Sequence, residues 1–353
     1  MQIWRVRERI CTMTTVLLTG ASGYIGKHIA LRLLNEGYSV RASVRTLAKG
    51  DEVRAAVLPH LNHTIDMASK LSFVELDLEK DAGWEDALKG VDVLMHTASP
   101  FPLASPKDEN DLIKPAVEGT LRALKAAHAS GVKRVVLTSS IAAIYGNILP
   151  AGKSEFDETM WTDVTHPIGR MAYTKSKTLA EKAAWDYIKS DAPEIELTTI
   201  NPVLVLGAPL DNNFGASVSV IERMLKAKDP MVPDLSFSIV DVKDVALMHV
   251  KALSIESSKN ERFIASARTV SFIEIAKILK SSYPKRKIVT MKAPNLVIRL
   301  LALFDSDIKS ILPSLGDKTG ASSRKAHEKL GINFISVEAS IIETAAFLIK
   351  NGR

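Results

Sequence analysis

The 353-residue chain contains one cysteine, Cys11, which excludes an internal disulfide and a cysteine-built zinc site. A lone thiol suits a reducing compartment, and the cytoplasm is the expected setting. Aromatic residues make up only 6% and do not interleave with basic ones as stacking on nucleic-acid bases requires. No apolar run approaches the ~20 residues that span a bilayer. The longest, around Leu296 to Leu303, is interrupted by Arg299 and followed by Asp305, so no membrane partner is expected. The 8 histidines are scattered, and only His60 and His63 come close together, without acids at ligand spacing. No metal site is therefore expected. A Gly-x-Ser-x-Gly elbow is absent as well, which removes serine-hydrolase chemistry. Residues 1–13 are basic but lack an apolar centre and a small-residue cleavage site, so they read as an N-terminal extension rather than a secretory signal.

What is present describes a folded protein, with 46% hydrophobic and 24% charged residues. The net charge of +6 is uneven: Ile275 to Leu330 carries 12 Lys/Arg against 4 Asp/Glu. A solvated face near an anionic cofactor accounts for that excess, and no nucleic-acid partner is expected. Residues 14–200 alternate short apolar runs with helical patterns, the signature of a doubly wound parallel α/β sheet. Strands are predicted at Thr15–Leu18, Tyr38–Val44, Ser72–Leu76, Val91–His96, Arg134–Leu137 and Leu197–Ile200. Helices are predicted at Ile25–Asn35 and Ile113–Ala129. From residue 201 to 353 repeated prolines break the rhythm, which predicts a smaller, loop-rich lobe with some segments returning to the core. Such a lobe forms a cleft at the carboxyl ends of the strands, where open α/β sheets bind ligands. Asn295 to Phe304 is expected to cap that cleft or to enter a dimer contact.

Thr19-Gly20-Ala21-Ser22-Gly23-Tyr24-Ile25-Gly26 falls between the first strand and the first helix. Gly20 suits a tight turn, Gly23 lets backbone approach a pyrophosphate, and Gly26 permits close packing of the helix. The second strand ends in Arg41-Ala42-Ser43-Val44-Arg45, with no acid for a ribose 2′-hydroxyl and two arginines suited to a 2′-phosphate. That points to NADP(H), with Lys49 near enough to assist. Asp77, after the third strand, can accept from an adenine amino group with Leu78 against the ring; a loop-capping role fits it nearly as well.

Tyr173 and Lys177 stand four positions apart and share a helical face. An ammonium beside a phenol favours phenolate and brings tyrosine, ordinarily near pKa ~10, toward useful acid–base chemistry. Thr138-Ser139-Ser140 directly follows the fifth strand, toward the same sheet edge as the glycine turn. A hydroxyl there can polarise a substrate carbonyl; an ST-turn ending the strand is the alternative.

Together these motifs resemble the extended short-chain dehydrogenases/reductases. The separation of 33 positions (173 − 140) is long, as in extended members. Val40 to Arg45, His96-Thr97-Ala98-Ser99-Pro100, Phe156-Asp157-Glu158, Ala172 to Glu181, Asn201 to Gly207 and Val240 to Ala246 are similar to the dihydroflavonol reductase-like branch. That branch includes cinnamoyl-CoA reductases and aldehyde/ketone reductases. The resemblance implies a Rossmann-type domain, Tyr173 as proton donor, and Lys177 orienting ribose and lowering the tyrosine pKa. It implies Ser140, or less readily Ser139, polarising the carbonyl. Gly20, Ser22, Gly23, Tyr24, Ile25, Arg41, Arg45, Asp77, Leu78, Thr97, Ala98, Ser99, Pro202, Val203 and Leu204 would line NADP(H). The implied reaction is reduction of an aldehyde or ketone by a monomer or homodimer. Two departures concern the substrate. Gly169-Arg170-Met171-Ala172-Tyr173 replaces the Asn-Trp-Tyr-Cys-Tyr of plant cinnamoyl-CoA reductases, and Tyr145 stands where dihydroflavonol reductases carry an amide. Alternatives within the superfamily are a sugar-nucleotide epimerase or dehydrogenase and a hydroxysteroid dehydrogenase. An alternative of another class is a non-catalytic NADP(H)-sensing module.

Overall fold

The first strand, β1 (Thr15–Thr19), is an almost uninterrupted apolar run, with Val16, Leu17 and Leu18 fully buried. A strand buried on both faces belongs inside a parallel sheet covered by helices, and each such side chain contributes about 1.5–3 kcal/mol of burial. The computed structural model describes residues 14–62, 66–99 and 108–353. The expected N-terminal extension, His63 and Pro100 lie outside the described residues.

After β1 come α1 (Tyr24–Asn35), β2 (Ser39–Val44), α2 (Leu47–Val57), β3 (Leu71–Glu75), α3 (Trp84–Leu88) and β4 (Val93–His96). Then follow α4 (Asn110–Ala129), β5 (Arg134–Thr138), β6 (Glu155–Phe156), α5 (Ala172–Ser190) and β7 (Glu196–Pro202). The remainder holds β8 (Leu204–Leu206), α6 (Ala216–Leu225), β9 (Ser236–Asp241), α7 (Val242–Ser254), β10 (Glu261–Ala265), β11 (Arg268–Ser271) and α8 (Phe272–Ser282). It closes with α9 (Asn295–Leu301), β12 (Gly320–Ala321) and α10 (Val337–Lys350).

Seven strands form one parallel sheet in the order β10-β7-β5-β4-β1-β2-β3. The order reverses between β1 and β4, whose carboxyl ends Thr19 and His96 are register partners. That is the switch point where doubly wound sheets hold ligands, and the fold is of the Rossmann type. One face of the sheet packs Val16, Leu18 and Val40 against Ile29, Leu33 and Val245. The other packs Leu17, Leu94 and Val135 against Leu124, Ala184 and Trp84. A separate core, including Leu206, Ile221, Ile239, Ile275 and Ile341, sits under the C-terminal lobe around the small β11-β9-β8 sheet.

Two differences from the sequence pattern stand out. α4 begins at Asn110, not Ile113, and runs through Pro115, whose missing N–H leaves one intrahelical bond unmade. The outermost strand of the main sheet, β10, comes from Glu261–Ala265, well inside the lobe half of the chain. Its short apolar run is flanked by Arg262 and Glu261 and carries no periodicity long enough to distinguish strand from helix.

Candidate active site

Gly20 adopts φ +69°, and a Cβ there would lie 2.7 Å from the Ala98 backbone nitrogen. A Cβ on Gly26 would sit 2.2 Å from the Gly20 carbonyl oxygen. Glycine at both positions therefore lets the turn, the strand-four loop and α1 close on one another. Gly23, exposed, starts α1 with no side-chain cap and no acid in the first turn. The first-turn N–H groups and the positive end of the helix dipole are left for an anion. Asn213 Nδ2 donates to Ser22 O at 3.1 Å, and Tyr24 Oη donates to Gly207 O at 2.8 Å, tying the lobe to this turn. Tyr24 thus presents its backbone, not its hydroxyl, to the turn, and Ile25 stands beside it, half-buried.

The two arginines of β2 separate. Arg41 lies mid-strand opposite Leu17, and its guanidinium donates to the carbonyls of Ala87 and Lys89, each at 2.8 Å, closing the end of α3. It does not stand with Arg45, and the pairing expected from sequence is corrected. Arg45 is exposed at the carboxyl end of β2 and makes no hydrogen bond among the described residues. Lys49, in the first turn of α2, pairs on the surface with Glu52 at 2.7 Å. Asp77 accepts from the Glu79 N–H at 3.1 Å and pairs with Lys80 at 3.3 Å, and these contacts hold its carboxyl below the usual range. Leu78 beside it is half-buried.

Thr19 stitches the next segment to the glycine turn. Its hydroxyl accepts from the N–H groups of Thr97 and Ala98, both at 3.2 Å, while Thr97 Oγ1 donates to Thr19 O at 2.5 Å. Ser99 then receives a 2.6 Å hydrogen bond from Lys177 Nζ. Lys177 is buried, which pushes its pKa down to about 8. Its nitrogen lies 5.7 Å from the centroid of the Tyr173 ring. Tyr173, four residues earlier on α5, lines the main cavity together with Ser140. Enclosure raises the Tyr173 pKa, and the Ser140 hydroxyl works against that rise. The expected lowering by Lys177 is therefore not what governs this phenol. Burial disfavours the phenolate, Lys177 is directed at Ser99, and Tyr173 keeps its proton at neutral pH.

Ser140 is the hydroxyl available at the site. Its Oγ accepts the Ala142 N–H at 3.1 Å and retains its own proton for a further acceptor. Ser139 is committed elsewhere, donating to Glu181 Oε2 at 2.5 Å. Glu181, fully buried, also accepts from Asn201 Nδ2 at 2.6 Å, Arg262 Nε at 2.7 Å and Thr199 Oγ1 at 3.2 Å. Asn201 in turn donates to Ser140 O at 3.1 Å. Arg262 stacks on Trp161 with its guanidinium carbon 3.8 Å from the ring centroid, and donates to Glu158 O and Met160 O. This buried network braces the serine turn against β7 and β10. Sequence reading missed it, although Tyr173, Lys177 and Glu181 recur every four residues on one helix face.

Tyr173 and Ser140 open onto a cavity of about 540 Å³ at the strand carboxyl ends. Pro202, Val203 and Leu204 form part of its wall, with Phe156, Phe237 and Val220. Tyr145 lines it too, and burial raises its pKa. The stretch Asn295 to Phe304 contributes nothing to this lining; Leu296, Leu300, Leu303 and Phe304 are exposed instead. The lobe contributes instead from Ala216 to Val220, Ser236 to Ser238 and Ser314 to Ala321. Among the described residues there is no cluster of metal-ligating side chains, and no helix is long and apolar enough to cross a membrane.

The profile of the NAD dependent epimerase/dehydratase family matches residues 16–265. A ketoreductase of Aspergillus niger is 37% identical over 287 residues, covering 76% of this chain and 82% of the relative. A cinnamoyl-CoA reductase of Medicago truncatula is 32% identical over 336 residues, covering 94% and 95%. The crystal structure of yeast methylglyoxal/isovaleraldehyde reductase complexed with NADPH superposes with a TM-score of 0.77 at 27% identity, covering 96% of this chain and 100% of that one. The chain belongs to the NAD-dependent epimerase/dehydratase family of extended short-chain dehydrogenases/reductases, on the branch that holds the ketoreductases and cinnamoyl-CoA reductases.

Proposed function

We propose that this chain is an NADPH-dependent oxidoreductase that reduces an aldehyde or ketone to an alcohol, with Tyr173 as proton donor. The observation that carries the reading is that Tyr173 and Ser140 line one cavity, backed by Lys177 bonded to Ser99. The turn fits a dinucleotide: glycines stand where a Cβ would collide, and α1 has an uncapped, acid-free first turn. Gly20 to Gly26 would hold the pyrophosphate, Asp77 and Leu78 would flank the adenine, and Thr97 to Ser99 would line the inner half. Arg45 would bind the 2′-phosphate with Lys49 beside it, and Arg41 is left out of that role.

Reduced NADP, when bound, supplies a hydride to the carbonyl carbon. Ser140 Oγ donates to the carbonyl oxygen and holds it beside Tyr173. The Tyr173 hydroxyl gives that oxygen its proton as charge develops, a contribution of about 10²–10⁴ in rate for a positioned acid. The raised pKa suits this direction, because a donor must arrive protonated. Lys177, protonated below about pH 8, places a positive charge near the resulting phenolate.

Oxidation of NADPH, and separately of NADH, by purified protein against a panel of aldehydes and ketones tests the reading. Turnover with NADPH well above NADH is expected; NADPH binding without turnover on any carbonyl would support a sensing module instead. A cytoplasmic setting, supported by the single cysteine, and a monomer or homodimer belong to the same proposal. Cell fractionation and sedimentation test them.

A further inference from the structure

The cavity beside Tyr173 has two chemically different walls. The core contributes Leu112, Ala142, Phe156 and Val203, which are apolar, together with the catalytic hydroxyls. The lobe contributes Phe237 and a set of hydroxyls, of which Ser217, Ser236, Ser314 and Thr319 make no side-chain hydrogen bond among the described residues. Ser238 differs, since its hydroxyl is engaged with Thr269 at 2.7 Å and the Ala321 N–H at 3.2 Å. One charged side chain lines the cavity among the described residues, and it is an acid, Asp317. That is notable because Ile275 to Leu330 carries 12 basic against 4 acidic residues. None of the basic side chains of this stretch is among the described residues that line the cavity.

Asp317 is exposed at the lobe side, held by a 2.8 Å bond from the Thr319 N–H to Oδ1. Its negative charge is felt at the Tyr145 hydroxyl. The carboxylate stands on the lobe wall with Ser314 and Thr319, opposite the core wall that carries Ser140 and Tyr173.

Resting on the reductase reading above, we infer that the cavity selects an apolar aldehyde or ketone whose end remote from the carbonyl carries a hydrogen-bond donor, a hydroxyl or an ammonium group, and that it discriminates against carboxylates. A carboxylate only accepts hydrogen bonds, so Asp317 rewards a donor and repels an anion. The free hydroxyls satisfy either end of a hydroxyl group, and the core wall covers the hydrocarbon between. An anionic 2-oxo acid finds no basic side chain on the described lining.

Three ketones of one body test this with NADPH: 4-phenylbutan-2-one bearing a para methyl, a para aminomethyl or a para carboxylate group. The expected order of kcat/KM is aminomethyl, methyl, carboxylate, with about fivefold between neighbours for a partly solvated charge contact. In Asp317→Asn, which keeps the acceptor for Thr319 N–H, the aminomethyl-to-methyl ratio should fall toward one. In Asp317→Lys the order should invert. Turnover of all three in an order indifferent to both substitutions overturns the inference and leaves the reductase reading standing. No NADPH oxidation with any of the three, nor with the wider panel, overturns both.

Discussion

The cofactor half and the substrate half of this molecule are built by different means. Around the glycine turn, main-chain groups do the work: Gly20, Gly26 and Ala98 pack backbone on backbone, and Thr19 fastens residues 97 and 98 with one side chain. Around the cavity, side chains do it, drawn from segments as far apart as Leu112 and Ala321. A backbone-built site demands particular residues at fixed short spacing. A side-chain-built site demands only shape and a few polar groups, so it leaves little regular trace in the chain. The brace between them, Glu181 with Arg262, Asn201 and Ser139, has the character of a core.

The largest expected effect tests that brace. Glu181→Ala leaves Arg262 buried without its carboxylate and should cost about 3–5 kcal/mol in chemical denaturation. A loss below 1 kcal/mol, again by the same measurement, would mean the network is incidental. Next in size, Ser140→Ala should lower kcat about 10²-fold, as expected for losing one carbonyl-polarising donor. Ser139→Ala should reduce it far less, and equal losses would erase the distinction drawn between the two hydroxyls.

The arginines sharpen the comparison further. Arg45→Ala should raise the Kd of NADPH about tenfold or more while leaving NADH nearly unchanged, since a charged 2′-phosphate contact is lost. Arg41→Ala should instead lower thermal stability with little change in the NADPH-to-NADH preference. Swapped outcomes would relocate the phosphate site to mid-strand.

Smaller effects depend on pH. Lys177, held near pKa 8 by burial, is protonated below that value and neutral above it. Log kcat/KM for reduction should therefore bend downward as pH rises through about 8; a flat profile to pH 9.5, about a unit and a half higher, would remove lysine charge from the reaction. His28, His96 and His249 are buried with pKa values near 4, below the ordinary 6.5. The unfolded chain binds protons that the folded chain refuses, so stability should fall as pH drops from about 6.5 toward 4. Denaturant midpoints that hold constant across that window would contradict the burial of these rings.

Much of the cofactor half was legible because its constraints are local. Strand β1, the glycine turn and α1 follow one another within twenty-one residues, Thr15 to Asn35, and each reads from period and residue type. Tyr173 and Lys177 were legible for the same reason, as neighbours on one helical face. Arg41 misled because a strand's last residues look alike in sequence. Only the register, Arg41 opposite Leu17, shows that its side chain falls short of the ligand edge and reaches α3 instead. β10, Arg262 and Asp317 were not legible, since each acquires its role through contacts distant in the chain: β10 pairs with β7 at a separation of 63 (261 − 198), and Arg262 meets Glu158 O at 104.

In this molecule cofactor binding and proton donation should be separable. Tyr173→Phe tests it directly, with the Kd of NADPH and kcat on an active carbonyl measured on one preparation. The Kd should stay within about twofold of the unaltered protein, and kcat should fall by about 10²–10⁴. A variant that still turns over at the original rate, or one that loses NADPH and turnover together, would contradict it.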